Sequence, residues 1–313
     1  MSNSKNRIFI AGQEGMVGSA ILRLFKKKNF CIASCPRTSI DLTSQEQVND
    51  WFKKNKPTAV INAAGKVGGI LDNSKFQSEY IYTNLMIGLN LLEASRIFGI
   101  KKFINLGSAC IYPKATPQPI KESYLLSSNL EPSNEGYALA KISVLKFCEY
   151  LNKQKNKRHF VTLQPANLYG VGDNFDLSSS HVIPALTRKF FEAKKNNLKK
   201  VEIWGSGNVS REFLHVDDLA EAVYFCFKNK IKYPFANVAG PDSITIKKLA
   251  YKLKAISDFK GKLFFNNQYP DGVKKRKLSN KILKNYGWKS KITLDQGLKD
   301  YYRYFSTNFK KLS

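Results

Sequence analysis

The sequence predicts an α/β protein, a doubly wound parallel sheet followed by a smaller C-terminal lobe. Three observations predict it. An apolar strand, Ile8-Phe9-Ile10-Ala11, runs directly into a glycine-spaced turn and an amphipathic helix. Short apolar strands then alternate with helical segments as far as Leu163, the pattern of a parallel sheet covered by helices on both faces. After Gly170 the alternation breaks down, which sets a second region apart. The expected division is residues 1–170 for the sheet domain, with segments near 205–240 returning to it, and 171–313 mainly for the smaller lobe.

Gly12-Gln13-Glu14-Gly15-Met16-Val17-Gly18 lies between the first strand and a helix that reaches about Phe25. Glycines at this spacing allow a tight turn in which backbone amides and a helix N-terminus meet a pyrophosphate. The strand before and the helix after favour that dinucleotide reading, and a Rossmann-type domain, over an ordinary turn. A second strand, Cys31 to Cys35, would put its two cysteines on one face. It leads to Arg37 and Asp41-Leu42, where such a fold meets the adenosine half of its ligand. Arg37 is a candidate partner for a 2′-phosphate, and Glu14 opposes one.

A helix from Ser44 to Lys54 precedes the strand Ala59 to Asn62, which runs into Ala63-Ala64-Gly65. Small residues at the carboxyl end of a strand let a ligand approach the backbone. A long helix from about Tyr80 to Phe98 precedes the strand Lys102 to Leu106 and then Gly107-Ser108-Ala109-Cys110-Ile111-Tyr112-Pro113. A further helix, about Tyr137 to Gln154, delivers the strand Phe160 to Leu163 and then Pro165-Ala166-Asn167-Leu168-Tyr169-Gly170. Beyond an irregular loop, Gly172 to Ser180, His181 opens a helix that carries Lys189. The smaller lobe continues through Trp204, Arg211, a helix near Ile246 to Ile256, and Pro270-Asp271-Gly272.

With 313 residues, 43% of them apolar, the chain can bury one large core or two modest ones. No apolar run approaches the roughly 20 residues that span a bilayer, and no signal peptide precedes the first strand, so a cytoplasmic, non-membrane protein is expected. Five cysteines fall in no metal-ligand spacing and are read as reduced thiols, with no metal expected. The formal charge of +27 is spread over short clusters such as Lys26-Lys27-Lys28 and Lys274-Lys275-Arg276-Lys277. A nucleic-acid binder more often concentrates its charge on one module, so a solvated lysine-rich surface is the simpler reading, and no nucleic-acid partner is expected. Small anions still gain from the general field.

Tyr137 and Lys141 stand four apart in a helical run and therefore share a face. An ammonium beside a phenol favours the phenolate and lowers its pKa, which lets the tyrosine pass a proton to a developing alkoxide. Alone, such a pair is common on solvated helices.

Taken together in this order, Gly12-x-x-Gly15-x-x-Gly18, Asn62-Ala63-Ala64-Gly65, Ser108 and Tyr137-x-x-x-Lys141 resemble the extended short-chain dehydrogenases/reductases. A narrower match lies in Lys66-Val67-Gly68-Gly69-Ile70, Gly107 to Pro113, Asn134 to Lys141, Asp173-Asn174-Phe175 with Ser180 to Pro184, and Arg211 to Asp218. These resemble the GDP-L-fucose synthase family from about Ile8 to Trp288. The resemblance implies a 3,5-epimerase and NADPH-dependent 4-reductase that converts GDP-4-keto-6-deoxy-D-mannose to GDP-L-fucose. It also implies NADP(H) as cofactor, a GDP-linked 4-keto sugar as partner, and a homodimer built from the helices near Tyr80 to Phe98 and Tyr137 to Gln154.

The residues make chemical sense of that implication. A C4 ketone acidifies the protons on C3 and C5, because removing either leaves charge on the same oxygen, so Ser108 and Tyr137 can serve both reactions as one oxyanion site. Epimerisation needs a base and an acid on opposite ring faces, and the resemblance maps them onto Cys110 and His181, whose reference pKa values of about 8.5 and 6.5 suit proton exchange. Read without it, Cys110 is equally a packed thiol and His181 a helix-start residue, while His159 and His215 are structural. By the same resemblance the cofactor contacts fall at Gly12 through Gly18, Arg37, Ala63, Leu106, Gly107, Ser108, Lys141, Pro165, Ala166, Asn167, Leu168 and His181. Substrate contacts fall at Lys189, Trp204, Arg211 and Asp271, and Trp204 read alone is as readily a core residue.

Three positions depart from the family pattern. Gly136 stands where proline commonly precedes the tyrosine, which loosens the helix entry. Pro165-Ala166-Asn167 replaces a threonine-bearing version. Glu14 stands where arginine is common, so the preference for NADP rests on Arg37. Two rival functions remain open: a C4 reductase of a related GDP-4-keto heptose or 3-deoxy sugar, and a non-catalytic dinucleotide- or nucleic-acid-binding protein. The retention of Ser108, Tyr137 and Lys141 weighs against the second.

Overall fold

The computed structural model describes residues 7–154, 158–269, 271 and 273–312, so Pro270 and Gly272 lie outside the described residues. In the first half β1 (Arg7–Ala11), α1 (Met16–Lys27), β2 (Cys31–Ala33), α2 (Gln45–Asn55), β3 (Ala59–Asn62), α3 (Ile70–Lys75), α4 (Gln77–Ile97), β4 (Lys102–Leu106), α5 (Glu135–Lys153) and β5 (His159–Pro165) follow one another. The second half holds β6 (Asn167–Tyr169), α6 (Val182–Lys195), β7 (Lys200–Trp204), β8 (Ser210–His215), α7 (Val216–Lys228), β9 (Phe235–Val238), β10 (Ser243–Thr245), α8 (Ile246–Ser257), β11 (Lys262–Asn266), β12 (Lys275–Arg276), α9 (Lys281–Asn285) and α10 (Leu294–Leu312).

A six-stranded sheet runs in the order β2-β1-β3-β4-β5-β9 with every pairing parallel. Its strands are apolar on both faces because helices cover both. Ile8, Ile10, Val161 and Leu163 join a core with α1 and α7, whereas Phe9, Val60, Phe103 and Phe160 pack with α2, α4 and α5. Strand order reverses between β1 and β3, which opens a crevice at their carboxyl ends.

A third core, with Phe175, Phe190, Ile203, Leu253 and Phe305, lies under α6, α8 and α10. Leu278, Leu283 and Trp288 instead pack into the first core, so the chain crosses back to the sheet before α10 returns to the smaller lobe. Local signals set several boundaries. Ser44 caps α2, Thr245 caps α8, and the Nδ1 of His215 accepts from Asp217 N at 3.2 Å to cap α7. His159 accepts from Ile231 N through Nε2 at 3.2 Å. Both histidines have structural partners.

One expectation fails here. β2 ends at Ala33, so Cys35 falls in the following turn and is buried while Cys31 is exposed. In the basic run Lys274 and Lys275 are exposed, while Lys275–Arg276 pairs in parallel with Ser210–Arg211. Its partner strand is far away in sequence, so no local pattern marks it. Among the described residues no helix is long and apolar enough to cross a membrane.

Candidate active site

The crevice at the switch point is built by Gly12 to Gly18. Gly12 has φ 78°, and a Cβ there would meet the Ala64 backbone at 2.8 Å. A Cβ on Gly18 would come within 1.9 Å of the Gly12 carbonyl oxygen, so that glycine lets α1 sit against the turn. Gly15 donates to Gly12 O at 3.1 Å, and α1 begins without a capping side chain or an acid in its first turn. Its first backbone amides are therefore free for an anion. The cradle fits a dinucleotide pyrophosphate.

Gln13 is buried, Met16 and Val17 half-buried, and Glu14 exposed. Burial, and secondly the Glu14 charge, push the Cys35 thiol up to about 11, so Glu14 lies near the end of β2. Arg37 is exposed in the turn just beyond. Glu14 and Arg37 thus flank one corner with opposite charges. Ala63, Leu106, Gly107, Pro165 and Ala166 line the carboxyl ends of β3, β4 and β5, with Asn167 and Leu168 following in β6. Asn167 donates to Glu212 O at 2.9 Å.

The catalytic candidates gather above β4. Ser108 N donates to Gln164 Oε1 at 2.6 Å, and the Ser108 hydroxyl accepts from Cys110 N at 3.3 Å, holding a short 3₁₀ turn over Ala109–Ile111. The Ser108 hydroxyl lies near enough to Tyr137 to lower its pKa, and Cys110 lies close enough to act electrostatically on both Tyr137 and Lys141. Lys141 is buried, donates to Leu106 O at 3.2 Å, and is pulled down to about 8 by desolvation. Ser108, Cys110, Tyr137 and Lys141 form one cluster.

The pKa-lowering effect expected of Lys141 is opposed at Tyr137 by burial. Desolvation, then the Cys110 charge, pushes Tyr137 well above its ordinary value, and the Ser108 hydroxyl is the influence that lowers it. The Lys141 ammonium sits 5.6 Å from the Tyr137 ring centroid and spends its hydrogen bond on a carbonyl. Burial outweighs the expected attraction.

His181 precedes α6 and makes no side-chain cap bond. Its side chain is exposed, yet desolvation lowers its pKa. An exposed group crowded by protein lies on a concave wall. The loop that ends at His181 passes beside Gly69, and Gly68 and Tyr80 lie between there and Tyr137. A Cβ on Gly69 would stand 3.5 Å from Ser179 O, Gly68 abuts the Tyr80 hydroxyl, and the Tyr80 ring meets the Tyr137 ring edge-on at 6.2 Å. Tyr80 donates a short hydrogen bond to Asp72.

In the smaller lobe Lys189 donates to Glu202 O at 3.1 Å and lies 4.9 Å from the Trp204 ring. Trp204 is not core: it is 44% exposed and stacks on Tyr269 at 4.3 Å with planes 12° apart. Asp271 accepts from Ser206 N at 3.0 Å and Ser206 Oγ at 2.6 Å, and a Cβ on Gly205 would crowd it, which ties it to the tryptophan. Arg211 donates to Val273 O at 2.6 Å; desolvation and then Arg276 lower its pKa while Asp271 raises it. Arg276 donates to Ala109 O at 2.9 Å, joining this lobe to the turn that carries Cys110.

Sequence reasoning reaches Arg276 only as part of a basic cluster and misses Tyr269 and Asn84. Asn84 donates to Lys66 O at 3.0 Å and Tyr80 O at 2.8 Å, leaving its buried Oδ1 without a partner. A Cβ on Gly65 would lie 2.7 Å from that oxygen and 3.4 Å from Lys141 Nζ. An asparagine amid the apolar residues of α4 is the signal for it. Among the described residues no group of three or more His, Cys, Asp or Glu could hold a metal.

Comparison with known proteins fits this geometry. A family model for the NAD dependent epimerase/dehydratase family matches residues 8–239. The chain belongs to that family. Within the NAD dependent epimerases/dehydratases it is a GDP-L-fucose synthase-like member of the extended short-chain type. It is 43% identical over 302 residues to the GDP-L-fucose synthase of Sinorhizobium fredii, covering 96% of each chain. It is 36% identical over 300 residues to the GDP-L-colitose synthase of Yersinia pseudotuberculosis, covering 96% of this chain and 97% of the other. Among solved structures, the GDP-mannoheptose C4 reductase of Campylobacter jejuni with NADP bound superposes with TM-score 0.89 at 33% identity, covering 96% of this chain and 98% of the other.

Proposed function

We propose that this chain converts GDP-4-keto-6-deoxy-D-mannose to GDP-L-fucose, as a 3,5-epimerase and NADP(H)-dependent 4-reductase. The observation that carries this reading is the single cluster of Ser108, Cys110, Tyr137 and Lys141, in which a thiol stands beside the phenol and ammonium of a reductase. The rival C4 reductase would carry that thiol as an inherited, idle group, so proton exchange at C3 and C5 separates the two readings.

Ser108 and Tyr137 donate to the C4 oxygen and stabilise the enolate that forms when a neighbouring proton leaves. Cys110 and His181 exchange protons at C3 and C5 from opposite ring faces. NADPH, when bound between Gly12–Gly18 and the strand ends, supplies hydride to C4. Tyr137 protonates the resulting alkoxide, and Lys141 orients the ribose through its ammonium. The stacked Trp204–Tyr269 pair, Lys189, Arg211 and Arg276 hold the nucleotide diphosphate by ring contact and charge, with Asp271 fixing their arrangement. Arg37 favours NADP at the corner where Glu14 disfavours it.

In deuterated water the enzyme is expected to label both C3 and C5 of GDP-4-keto-6-deoxymannose and to oxidise NADPH, read by mass spectrometry and absorbance. Reduction without label at either carbon favours the rival C4 reductase of a heptose or 3-deoxy sugar. The same reading includes a homodimer through α4 and α5, whose surfaces expose Tyr82, Leu139 and Tyr150. Light scattering at twice the monomer mass is the expected result, and a monomer alone removes it.

A further inference from the structure

We infer that the C-terminal helix α10 positions His181 for proton exchange, through the hydrogen bond that Tyr301 donates to Asp173. The inference rests on the epimerase reading above.

Between β6 and α6 the chain crosses from the sheet to His181 without regular structure. That stretch is nevertheless fastened almost residue by residue. Asp173 Oδ2 accepts from the buried Tyr301 hydroxyl at 2.9 Å, and its Oδ1 accepts from Asn174 N at 2.8 Å. Phe175 stacks on the Tyr301 ring at 5.3 Å and meets Phe305 at 4.4 Å, so α10 grips the loop by ring contact as well. The Phe175 carbonyl accepts from Arg188 on α6 at 3.2 Å. Asp176 then accepts from Ser178 N at 3.0 Å and Ser179 N at 3.1 Å, and Ser180 N donates to Asp176 O at 2.8 Å.

His181 follows at once, and its imidazole makes no bond of its own at the helix start. Its placement is inherited from the backbone that Asp173 anchors. The choice of a carboxylate is informative. Burial pushes Asp173 up to about 7, and the hydrogen bonds from Tyr301 and Asn174 oppose that rise by favouring the carboxylate. Two oxygens accepting from two directions are what a carboxylate offers and an amide does not. Tyr301 and Asp173 touch neither ligand in this scheme; they are positioning residues.

Tyr301→Phe keeps the stacked ring and removes one hydroxyl. Wash-in of solvent deuterium at C3 and C5 is expected to fall about 10-fold or more, since a displacement near 1 Å is costly to a positioned acid or base. NADPH oxidation with a 4-keto substrate already in the product configuration should hold. Asp173→Asn should act in the same direction, and the double variant should be no worse than the worse single one, because both break one contact. Unchanged exchange, an equal fall in exchange and reduction, or additive losses overturns the inference. If Tyr301→Phe unfolds at the assay temperature, Asp173→Asn alone carries the comparison. A parent enzyme that labels neither carbon overturns the epimerase reading itself, whereas a parent that exchanges alongside variants that still exchange overturns only this role for α10.

Discussion

Tyr137→Phe is expected to lower NADPH-dependent reduction by about 10²- to 10⁴-fold, the range in which a positioned proton donor contributes. The substitution removes one hydroxyl from a half-buried ring whose edge contact with Tyr80 remains. Ser108 still accepts from Cys110 N, so the turn that presents it should hold. Lys141 keeps its bond to Leu106 O, and the glycine turn lies on other elements. Dinucleotide affinity, read by quenching of protein fluorescence, is therefore expected to stay where it is while turnover collapses. Reduction that survives to within a factor of about ten would mean another group protonates the alkoxide.

Cys110→Ser should separate the two activities. A serine hydroxyl nearly matches the thiol in size but does not ionise near neutrality, so proton exchange at C3 or C5 is expected to fall by about 10²- to 10⁴-fold. Reduction of a ketone already in the product configuration should survive, and the electrostatics say why. Cys110 raises the Tyr137 pKa only as a second influence after burial, so its replacement leaves the burial that keeps the phenol protonated in place. His181→Asn should give the same division. Mass spectrometry of label at each carbon beside absorbance at the cofactor's wavelength measures both. An equal loss of exchange and reduction in the serine variant would end the division of labour between thiol and phenol.

The sheet is legible in the sequence because strands buried on both faces show it as short apolar runs such as Ile8–Ala11 and Ala59–Asn62. The glycine turn is legible because backbone crowding at Gly12 and Gly18 tolerates nothing larger. What escapes is set by distant contacts. Lys275–Arg276 forms a strand only because Ser210–Arg211 lies alongside. Tyr269 matters only through its stack on Trp204, and Asn84 only through its nearness to Lys141. The Tyr137–Lys141 spacing correctly joins two side chains on α5, yet the sign of the tyrosine's shift depends on burial that no spacing encodes.

Gly136 is the last of these. The glycine does not loosen the entry to α5: its N–H donates to Gln77 Oε1 at 3.0 Å, and a Cβ there would come within 2.7 Å of the Gln77 carbonyl oxygen. Proline in the first turn of a helix is a common route to a more heat-resistant enzyme, because it stiffens the unfolded chain. Here it would delete the donor and wedge apart the first turns of α4 and α5, and with them the backbone that carries Asn84 and Tyr137. Engineering for thermal endurance is better directed away from this junction, whose rigidity comes from the fit between two helices.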